Sequence, residues 1–408
     1  MSHETFKEDL SENGTLTGIE DNEEDELILE PFDPDSISID QRTVPMDTLI
    51  RRLKQKSIRL SPNFQRNEVW DDTRRSQLIE SIMLKIPLPM FYVASNEEGQ
   101  WEVVDGLQRL STIRNFILGD EKGNEFKLKN LEFLGSKLNN KTYKNIERDL
   151  DQQRLINTIM ETEMRFTIIN PGTPEAVKRN IFKRINTGGM PLTVQEIRHA
   201  LYQGKSSDLL VDLVNSDAFK QTNHTTFNDT RMGARELILR AISFMLLSRN
   251  EYKPSMDSWL SNTMRIINCM PELDQKRLEK IYPDGPIPNT KIKSIEILKF
   301  NFELAMTRSK KLFGSHAFRK SLPGDRKAPI NKALFESWSN ILCELNDNDF
   351  EMLVLKKDIL FEEYKKILNN SDFNNAISRN ASQAKEIVER YRTLNELITD
   401  TLKGLDHD

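Results

Sequence analysis

Hydrophobic periodicity divides the chain into two halves with different secondary structure. Up to about residue 205, short runs with strand character alternate with runs of helical period. The predicted strands are 37–39, 58–60, 91–94, 101–104 and 161–170, with an extended stretch at 126–135, and the predicted helices are 46–56, 73–85, 107–117, 144–160, 175–185 and 194–202. Further on, the pattern is helical at 207–220, 231–248, 255–270, 272–282, 291–313, 330–345, 347–369 and 380–402. The chain is therefore expected to be α+β, with a small mixed sheet followed by a mainly α-helical C-terminal half.

The first 35 residues follow neither period and are strongly acidic. They contain thirteen Asp or Glu residues and one Lys. Such a segment buries too little apolar surface to offset its conformational entropy, so we expect a disordered acidic tail. Its role is solubility, or it mimics a polyanion and covers a basic face of the same chain. The expected divisions are the tail at 1–35, an α/β domain at 36–205 and an α-helical domain at 206–408.

Outside the acidic tail the chain is mildly basic. Residues 36–408 carry a net charge of +7, whereas the whole chain carries −5. That balance is compatible with a nucleotide or nucleic acid as partner, but it is too weak to indicate DNA by itself.

The stretch WEVVDGLQRLSTIRNFIL at 101–118 predicts a strand, a tight turn and a helix. Asp105 and Gly106 favour the turn, which makes Asp105 a candidate N-cap. A helix that begins there presents free backbone N–H groups and a positive dipole end to an anion. Arg109, one turn into the helix, adds a charged fork for phosphate. The alternative is an ordinary βα turn of the core, in which Asp105 caps the helix and Arg109 is solvated.

Two other stretches carry candidate ligand-binding residues. Phe64-Gln65-Arg66 offers a planar guanidinium beside an amide, although Arg66 could equally pair with a local carboxylate. In the connection Asn186-Thr187-Gly188-Gly189, the glycines allow backbone to approach a ligand and the polar side chains can hydrogen-bond to it. A simple helix–loop–helix turn would also explain these residues, with Thr193 capping the second helix. Arg184 and Arg198 flank this connection as further candidates for binding an anion.

An ordered set of motifs resembles a known family. WEVVDGLQRLSTI is similar to the DGQQR motif of the N-terminal domain of GmrSD-type modification-dependent restriction enzymes, which has a ParB/sulfiredoxin-like fold. The stretches that agree with it are FQRNEVW, LIESIMLKIPLP, FKRINTGGMPLTVQEIRHALY and ARELILR, at 64–70, 78–89, 182–202 and 234–240. The resemblance covers about residues 36–250. HAFRK and INKALFESWSNIL, near 316–342, resemble the family's less specific helical continuation.

The resemblance implies nucleotide binding and hydrolysis by a module of a bacterial anti-phage or restriction system. In that scheme a nucleoside triphosphate is bound by Gln65, Arg66, Gly106, Arg109, Arg184, Asn186, Thr187, Gly188, Gly189 and Arg198. Asp105 holds Mg²⁺ or orients the attacking water, and Gln108 bonds the phosphate or the water. The first Gln of the family motif is Leu107 here. That departure favours the alternative, a ParB-like regulatory module that binds nucleotide or DNA without hydrolysing it.

Several other chemistries lack their motifs in the sequence. There is no GxxxxGK[ST] loop, no GxSxG elbow and no HExxH. The five histidines are scattered and show no HNH nuclease pattern, so we expect any nuclease to lie on a separate chain. Cys269 and Cys343 lie far apart, as in a reduced cytoplasmic protein. The apolar stretch 237–247 is too short to cross a bilayer and predicts a buried helix. Nothing in the sequence fixes the number of subunits.

Overall fold

The computed structural model describes residues 8–10, 16–20, 37–60, 70–120, 122–185, 193–223, 229–253, 255–282 and 285–404. These residues fall into two compact units. The α/β unit comprises described residues within 29–192 together with 199–201. The helical unit comprises those within 1–28, 193–198 and 202–408. The helical unit thus already includes residues 193–198, slightly before the expected boundary at 205, and also takes in part of the N-terminal segment.

A five-stranded mixed sheet forms the centre of the α/β unit. Its strands are β3 (Ile39–Pro45), β4 (Ile58–Arg59), β5 (Phe91–Ser95), β6 (Trp101–Asp105) and β7 (Glu163–Ile169). They lie in the order β3-β7-β5-β6-β4. The pairs β3·β7 and β5·β6 are antiparallel, while β5·β7 and β4·β6 are parallel. The predicted small mixed sheet, and with it the α+β class, is confirmed.

Seven helices accompany the sheet in the α/β unit. They are α1 (Met46–Lys54), α2 (Asp72–Met83), α3 (Leu107–Leu118), α4 (Gly135–Leu138), α5 (Tyr143–Glu147), α6 (Gln153–Glu161) and α7 (Glu175–Ile185). Apolar residues of α1, α2, α3 and α6 form a common core with β5, β6 and β7. At its centre the ring of Phe166 lies 5.1 Å from that of Phe91 and 5.3 Å from that of Trp101. The core therefore lies directly against the strand that leads into α3.

One strand prediction in this unit was inaccurate. The predicted strand 37–39 overlaps the observed β3 only at Ile39, because β3 is an edge strand whose polar residues are mostly solvent-exposed and give no alternating pattern. The stretch 126–135, expected to be extended, does not join the sheet. The carboxylate of Glu80 on α2 accepts hydrogen bonds from the N–H groups of Glu132, Phe133 and Leu134, at 3.0, 2.8 and 2.7 Å. A side chain thus satisfies the backbone donors that a neighbouring strand would have satisfied.

The helical unit is built from the remaining helices. They are α8 (Val194–Leu201), α9 (Lys205–Asn215), α10 (Asp217–Asn223), α11 (Gly233–Leu246), α12 (Met256–Cys269), α13 (Gln275–Ile281), α14 (Ile295–Phe313), α15 (Lys332–Glu344), α16 (Asp347–Leu355), α17 (Lys357–Leu368), α18 (Ser371–Ile377) and α19 (Ala384–Lys403). The predicted helix 347–369 is two helices, separated at Lys356, and α18 was not predicted. The expectation that 237–247 is a buried helix is confirmed by α11. Across the described ranges, none of the helices combines the length and apolar character that a membrane span requires.

A buried ion-pair cluster lies inside the helical unit. Both carboxylate oxygens of Glu336 on α15 are engaged, one by Nε of Arg240 at 2.9 Å and the other by Nη2 of Arg390 at 2.6 Å. All three side chains are almost fully buried. A carboxylate in such a place is tolerated only because both of its oxygens have charged donors.

Part of the acidic N-terminal segment is ordered, which differs from the expected disordered tail. Strands β1 (Glu8–Leu10) and β2 (Leu16–Glu20) pair antiparallel. The backbone of β2 also exchanges hydrogen bonds with Ile330, from Glu20 N–H and to Gly18 C=O, both at 2.8 Å. The Glu20 carboxylate accepts hydrogen bonds from Lys320 Nζ at 2.6 Å and Asn331 Nδ2 at 2.7 Å. Specific pairing to the helical unit, which composition does not reveal, therefore holds this strand in place.

Candidate functional site

The turn between β6 and α3 has a backbone that requires glycine. Gly106 lies at φ +94°, in the left-handed region, and is the N-cap of α3. A Cβ at this position would collide with the ring of Phe91 and lie 3.0 Å from Nη2 of Arg109. Both the dihedral and the close packing exclude a larger side chain here. The predicted strand–turn–helix over 101–118 is confirmed.

The predicted N-cap was wrong. Asp105 is the last residue of β6, and Gly106 takes the cap position without any side-chain hydrogen bond to the helix. The carboxylate of Asp105 is directed to Arg109 instead, with Oδ2 2.9 Å from Nη2. The N–H groups of the first turn, at Leu107, Gln108 and Arg109, therefore receive no cap from a side chain. They remain the kind of donors that hold an anion at a helix N-terminus.

Arg109 is a buried anchor and not the solvated side chain of the alternative interpretation. Its guanidinium donates to the carbonyl oxygens of Pro89 and of Met90, the latter at 3.2 Å, and to Asp105. It also lies over the ring of Phe91, 4.5 Å from the centroid. The side chain is only 11% exposed, and burial lowers the pKa of Arg109 even though Asp105 opposes that shift. Arg109 thus ties the turn to the segment that enters β5.

The neighbours of Arg109 on the turn differ in what they present to solvent. Asp105 is 39% exposed, and its second oxygen has no partner among the residues that the structure describes. Gln108 is partly exposed, and its backbone oxygen accepts a hydrogen bond from the Thr112 hydroxyl. Leu107 packs against the core of the α/β unit. A free carboxylate oxygen and an amide therefore remain available beside the uncapped helix end.

Glu102 is a feature of the site region that sequence reasoning missed. It lies on β6, three residues before Asp105, and burial raises the pKa of Glu102 to about 7. Glu175 adds to the rise, while Arg59 and Lys178 oppose it. Glu102 lies between the buried residues Trp101 and Val103, so strand alternation places it on the other face of the sheet. A carboxylate in the middle of an apolar strand was the signal that could have found it.

Of the other predicted site residues, the structure describes only Arg184 and Arg198. Gln65, Arg66, Asn186, Thr187, Gly188 and Gly189 lie outside the described residues. Arg184 is exposed on α7, and its Nε donates to Asn180 at 3.2 Å. Arg198 is buried in the helical unit, where it donates to Asp257 at 3.0 Å and to Gln195 at 2.9 Å. These contacts give Arg198 a role in packing α8.

The predicted N-cap of α8 is confirmed. Thr193 caps α8 through a capping box with Glu196, whose Oε2 accepts from the Thr193 N–H at 2.6 Å. Glu196 also lies 3.6 Å from Arg231. The sequence did not suggest Arg231 as its partner.

The carboxylate of Asp105 at the β6–α3 turn could hold a magnesium ion only if a bound ligand completed the coordination of the metal. Within the described ranges no group of three or more His, Cys, Asp or Glu side chains could hold a metal ion. Mg²⁺ is commonly bound by one or two carboxylates together with water and substrate phosphates. Asp105, with an exposed oxygen, could supply one such ligand beside a bound polyphosphate.

One comparison with known proteins gives a match. Residues 48–203 match the family described as the GmrSD restriction endonuclease, N-terminal domain. The matched segment contains β6, the glycine turn and α3. No curated protein and no solved structure matches the chain.

Proposed function

We propose, from the premise that residues 48–203 belong to the GmrSD N-terminal domain family, that the chain is a module of a restriction or anti-phage system. Its α/β unit binds a nucleoside triphosphate at the β6–α3 turn. The observation that carries this proposal is the uncapped helix N-terminus at Gly106, where backbone can approach a phosphate closely. Helix ends of this kind favour a negative charge by about 0.3–2 kcal/mol.

Asp105 and Arg109 would have different roles near the bound phosphates. Asp105 would hold Mg²⁺ through its exposed oxygen or orient the attacking water. Arg109 acts as a positioning residue, since its donors to Pro89, Met90 and Asp105 fix where that carboxylate points. This role differs from the direct phosphate contact expected from the sequence, because a guanidinium held by those acceptors has little left to offer a ligand.

The remaining contacts to the nucleotide rest on the sequence. Gln108, partly exposed in the first turn of α3, would bond a phosphate oxygen or the water. Gln65 and Arg66 would contribute side-chain donors, and the Asn186–Gly189 connection would provide backbone and side-chain donors. Arg184 is exposed and could reach an anion, whereas Arg198 is already engaged by Asp257 and Gln195.

Hydrolysis of the bound nucleotide would require a water molecule positioned for attack. Leu107 packs on the core and carries no side-chain amide, so positioning of water would depend on Asp105 and Gln108. The same observation favours a second candidate function, a ParB-like module that binds nucleotide or DNA and regulates without turnover. In either case cutting of DNA would be performed by a separate nuclease chain.

A binding and turnover experiment distinguishes the two functions. The full chain is incubated with Mg²⁺ and each common nucleoside triphosphate, with binding measured by calorimetry and turnover by phosphate release. Asp105→Asn should abolish turnover, and Arg109→Lys should reduce it by roughly 10- to 100-fold through misplacement of the carboxylate. Asp40→Asn, which removes an exposed carboxylate on β3, serves as the matched control.

Three outcomes of this experiment distinguish the proposed functions. Phosphate release that depends on Asp105 but not on Asp40 supports a hydrolase. Binding without turnover supports the regulatory module. Absence of binding to every nucleotide, or equal turnover by wild type and Asp105→Asn, rules out the β6–α3 turn as the nucleotide site.

A further inference from the structure

The face of the central sheet opposite the aromatic core carries a tyrosine and an arginine that reach solvent. Tyr92 lies between Phe91 and Val93, which both belong to the core, so strand alternation places its side chain on the opposite face. Arg165 likewise lies between two core residues of β7. Tyr92 is half-buried and Arg165 is exposed. An aromatic ring and a guanidinium are therefore presented on the same face of the sheet.

Strand pairing places both residues close to the β6–α3 turn. In the β5·β6 pair Tyr92 is opposite Asp105, which puts their Cα atoms about 4.5–5.5 Å apart. In the β5·β7 pair Tyr92 is opposite Thr167, and Arg165 lies two residues before Thr167, or about 6.6 Å along the strand. Asp105, Tyr92 and Arg165 therefore lie within the span of one nucleotide.

Met90 extends this surface to the start of α3. Its sulfur accepts a hydrogen bond from the hydroxyl of Thr167 at 3.4 Å, which places its side chain on the same face. Its carbonyl oxygen accepts a hydrogen bond from Nη2 of Arg109 at 3.2 Å. Met90 is 37% exposed. It therefore connects the residue that anchors the turn to the strand that carries Arg165.

The open part of the face is confined to the end of the sheet where α3 begins. Two residues after Tyr92 and Thr167, Ala94 and Ile169 are paired in register, and both are buried. On the other side of β7, Thr43 is opposite Arg165, and it is neutral and exposed. The accessible area thus adjoins the turn and carries a positive charge.

The polar groups of this surface are available to a ligand. Among the residues that the structure describes, neither the hydroxyl of Tyr92 nor the guanidinium of Arg165 has a hydrogen-bond or ion-pair partner. Glu163, two residues earlier on β7, does not come within 4.0 Å of that guanidinium. Arg42 on the adjacent strand differs, because it lies 3.3 Å from Asp40. The charge of Arg165 is therefore complementary to a phosphate that is not supplied by the described chain.

We propose that the nucleobase of the bound nucleotide stacks on the ring of Tyr92 beside Met90, while Arg165 contacts a phosphate of the same molecule. Aromatic rings bind bases by stacking, and an arginine fork binds phosphate oxygens in bidentate fashion. This inference rests on the proposed function, because it assigns the base-binding part of the same site. It makes Tyr92 the residue that distinguishes a nucleotide from an inorganic polyphosphate.

Calorimetry with two ligands tests the role of Tyr92 in the full chain. Adenosine triphosphate and inorganic tripolyphosphate are each titrated in the presence of Mg²⁺. Tyr92→Ala should weaken binding of adenosine triphosphate by about 5- to 150-fold and leave the affinity for tripolyphosphate unchanged. Tyr92→Phe, which keeps the ring, should bind both ligands as wild type does. Phe133→Ala removes an exposed aromatic residue elsewhere in the α/β unit and is the matched control.

Arg165→Gln tests the phosphate contact in the same experiment. It should weaken the binding of both ligands by about 10- to 100-fold, because both carry the phosphate that the guanidinium contacts. Arg42→Gln is the matched control, since Arg42 is opposite the core residue Phe166 and so lies on the other face of the sheet. Equal affinities of wild type and Arg165→Gln would contradict the phosphate contact.

The base-binding surface and the proposed function fail in different ways. If adenosine triphosphate binds or turns over in a manner that depends on Asp105, but its affinity is unchanged in Tyr92→Ala, the base-binding surface is refuted and the proposed function stands. If its affinity falls in Tyr92→Ala while Asp105→Asn has no effect on binding or turnover, the surface stands and the role of the turn is refuted. Equal losses of both ligands in Tyr92→Ala would contradict base stacking. Absence of binding by both ligands to wild type would refute both proposals.

Discussion

Glu102→Gln should stabilise the α/β unit at alkaline pH and have little effect at acidic pH. In the folded protein, burial raises the pKa of Glu102 from an ordinary value of 4.5 to about 7. Folding therefore disfavours the charged form, with Arg59 and Lys178 offsetting only part of the burial. Because glutamine is never charged, the substitution removes a cost that exists only where the unfolded carboxyl is ionised.

The pH window and the magnitude follow from the two pKa values. Below the ordinary value of 4.5 the carboxyl is protonated in both states and costs nothing. Between 4.5 and about 7 the unfolded chain loses its proton while the folded one keeps it, so stability falls as pH rises. Above the folded value the loss is complete. At about 1.4 kcal/mol per tenfold change in proton affinity, it amounts to about 3 kcal/mol.

Urea denaturation of the full chain, followed by tryptophan fluorescence, measures this effect at pH 5 and pH 8.5. The gain in the free energy of unfolding for Glu102→Gln should be about 3 kcal/mol at the higher pH and about 1 kcal/mol or less at the lower. Glu98→Gln, on the exposed turn of the same hairpin, should show little change at either pH. A gain of equal size at both values would mean that Glu102 is not held protonated by burial, and the reasoning would be refuted.

Three other substitutions test contacts described above. Gly106→Ala should destabilise the α/β unit by about 2–5 kcal/mol, because a positive φ and a collision with Phe91 act together. Glu80→Gln should cost about 1.5–3 kcal/mol by weakening the charge-assisted hydrogen bonds to the 132–134 backbone. Glu336→Gln should cost about 3–5 kcal/mol, since it leaves two buried guanidinium groups without a carboxylate. Each is measured by chemical denaturation against wild type.

Matched controls isolate the cause in each case. Gly99→Ala introduces a side chain at φ +75° with no atom within 4 Å, so it should show the strain without the collision. Glu132→Gln removes an exposed charge near the loop that Glu80 holds, and Glu344→Gln removes a partly exposed one on α15. Controls as damaging as the corresponding test variants would show that the named contacts are not the source of stability.

The order of elements in the α/β unit could be predicted because local signals agreed with the fold. Apolar alternation at 91–94 and 101–104, proline at 87 and 89, and Asp105-Gly106 all indicated the hairpin and turn that the structure contains. Prediction failed where long-range polar contacts decide the structure. Glu80 holds the loop at 132–134 through three backbone donors. The sequence carries no periodic trace of such a contact.

The turn at 105–106 was located correctly along the chain, but the contacts of its side chains were not predicted. A guanidinium one turn into a helix is equally suited to a phosphate or to backbone carbonyls, and only the fold brings Pro89 and Met90 to Arg109. The prediction of Asp105 as N-cap also failed for a local reason. Gly106 at φ +94° turns the chain so that the carboxylate points along the helix to Arg109 and away from the first amides.

The way β2 is held has a consequence for how the gene can be divided. Backbone hydrogen bonds join Gly18 and Glu20 of β2 to Ile330, far along the chain, and the α/β unit is encoded in between. A fragment that begins after β2 would leave Lys320 and Asn331 without their carboxylate. The helical unit therefore cannot be exchanged as a simple C-terminal cassette. Expression boundaries should therefore keep β1 and β2 together with the helical unit.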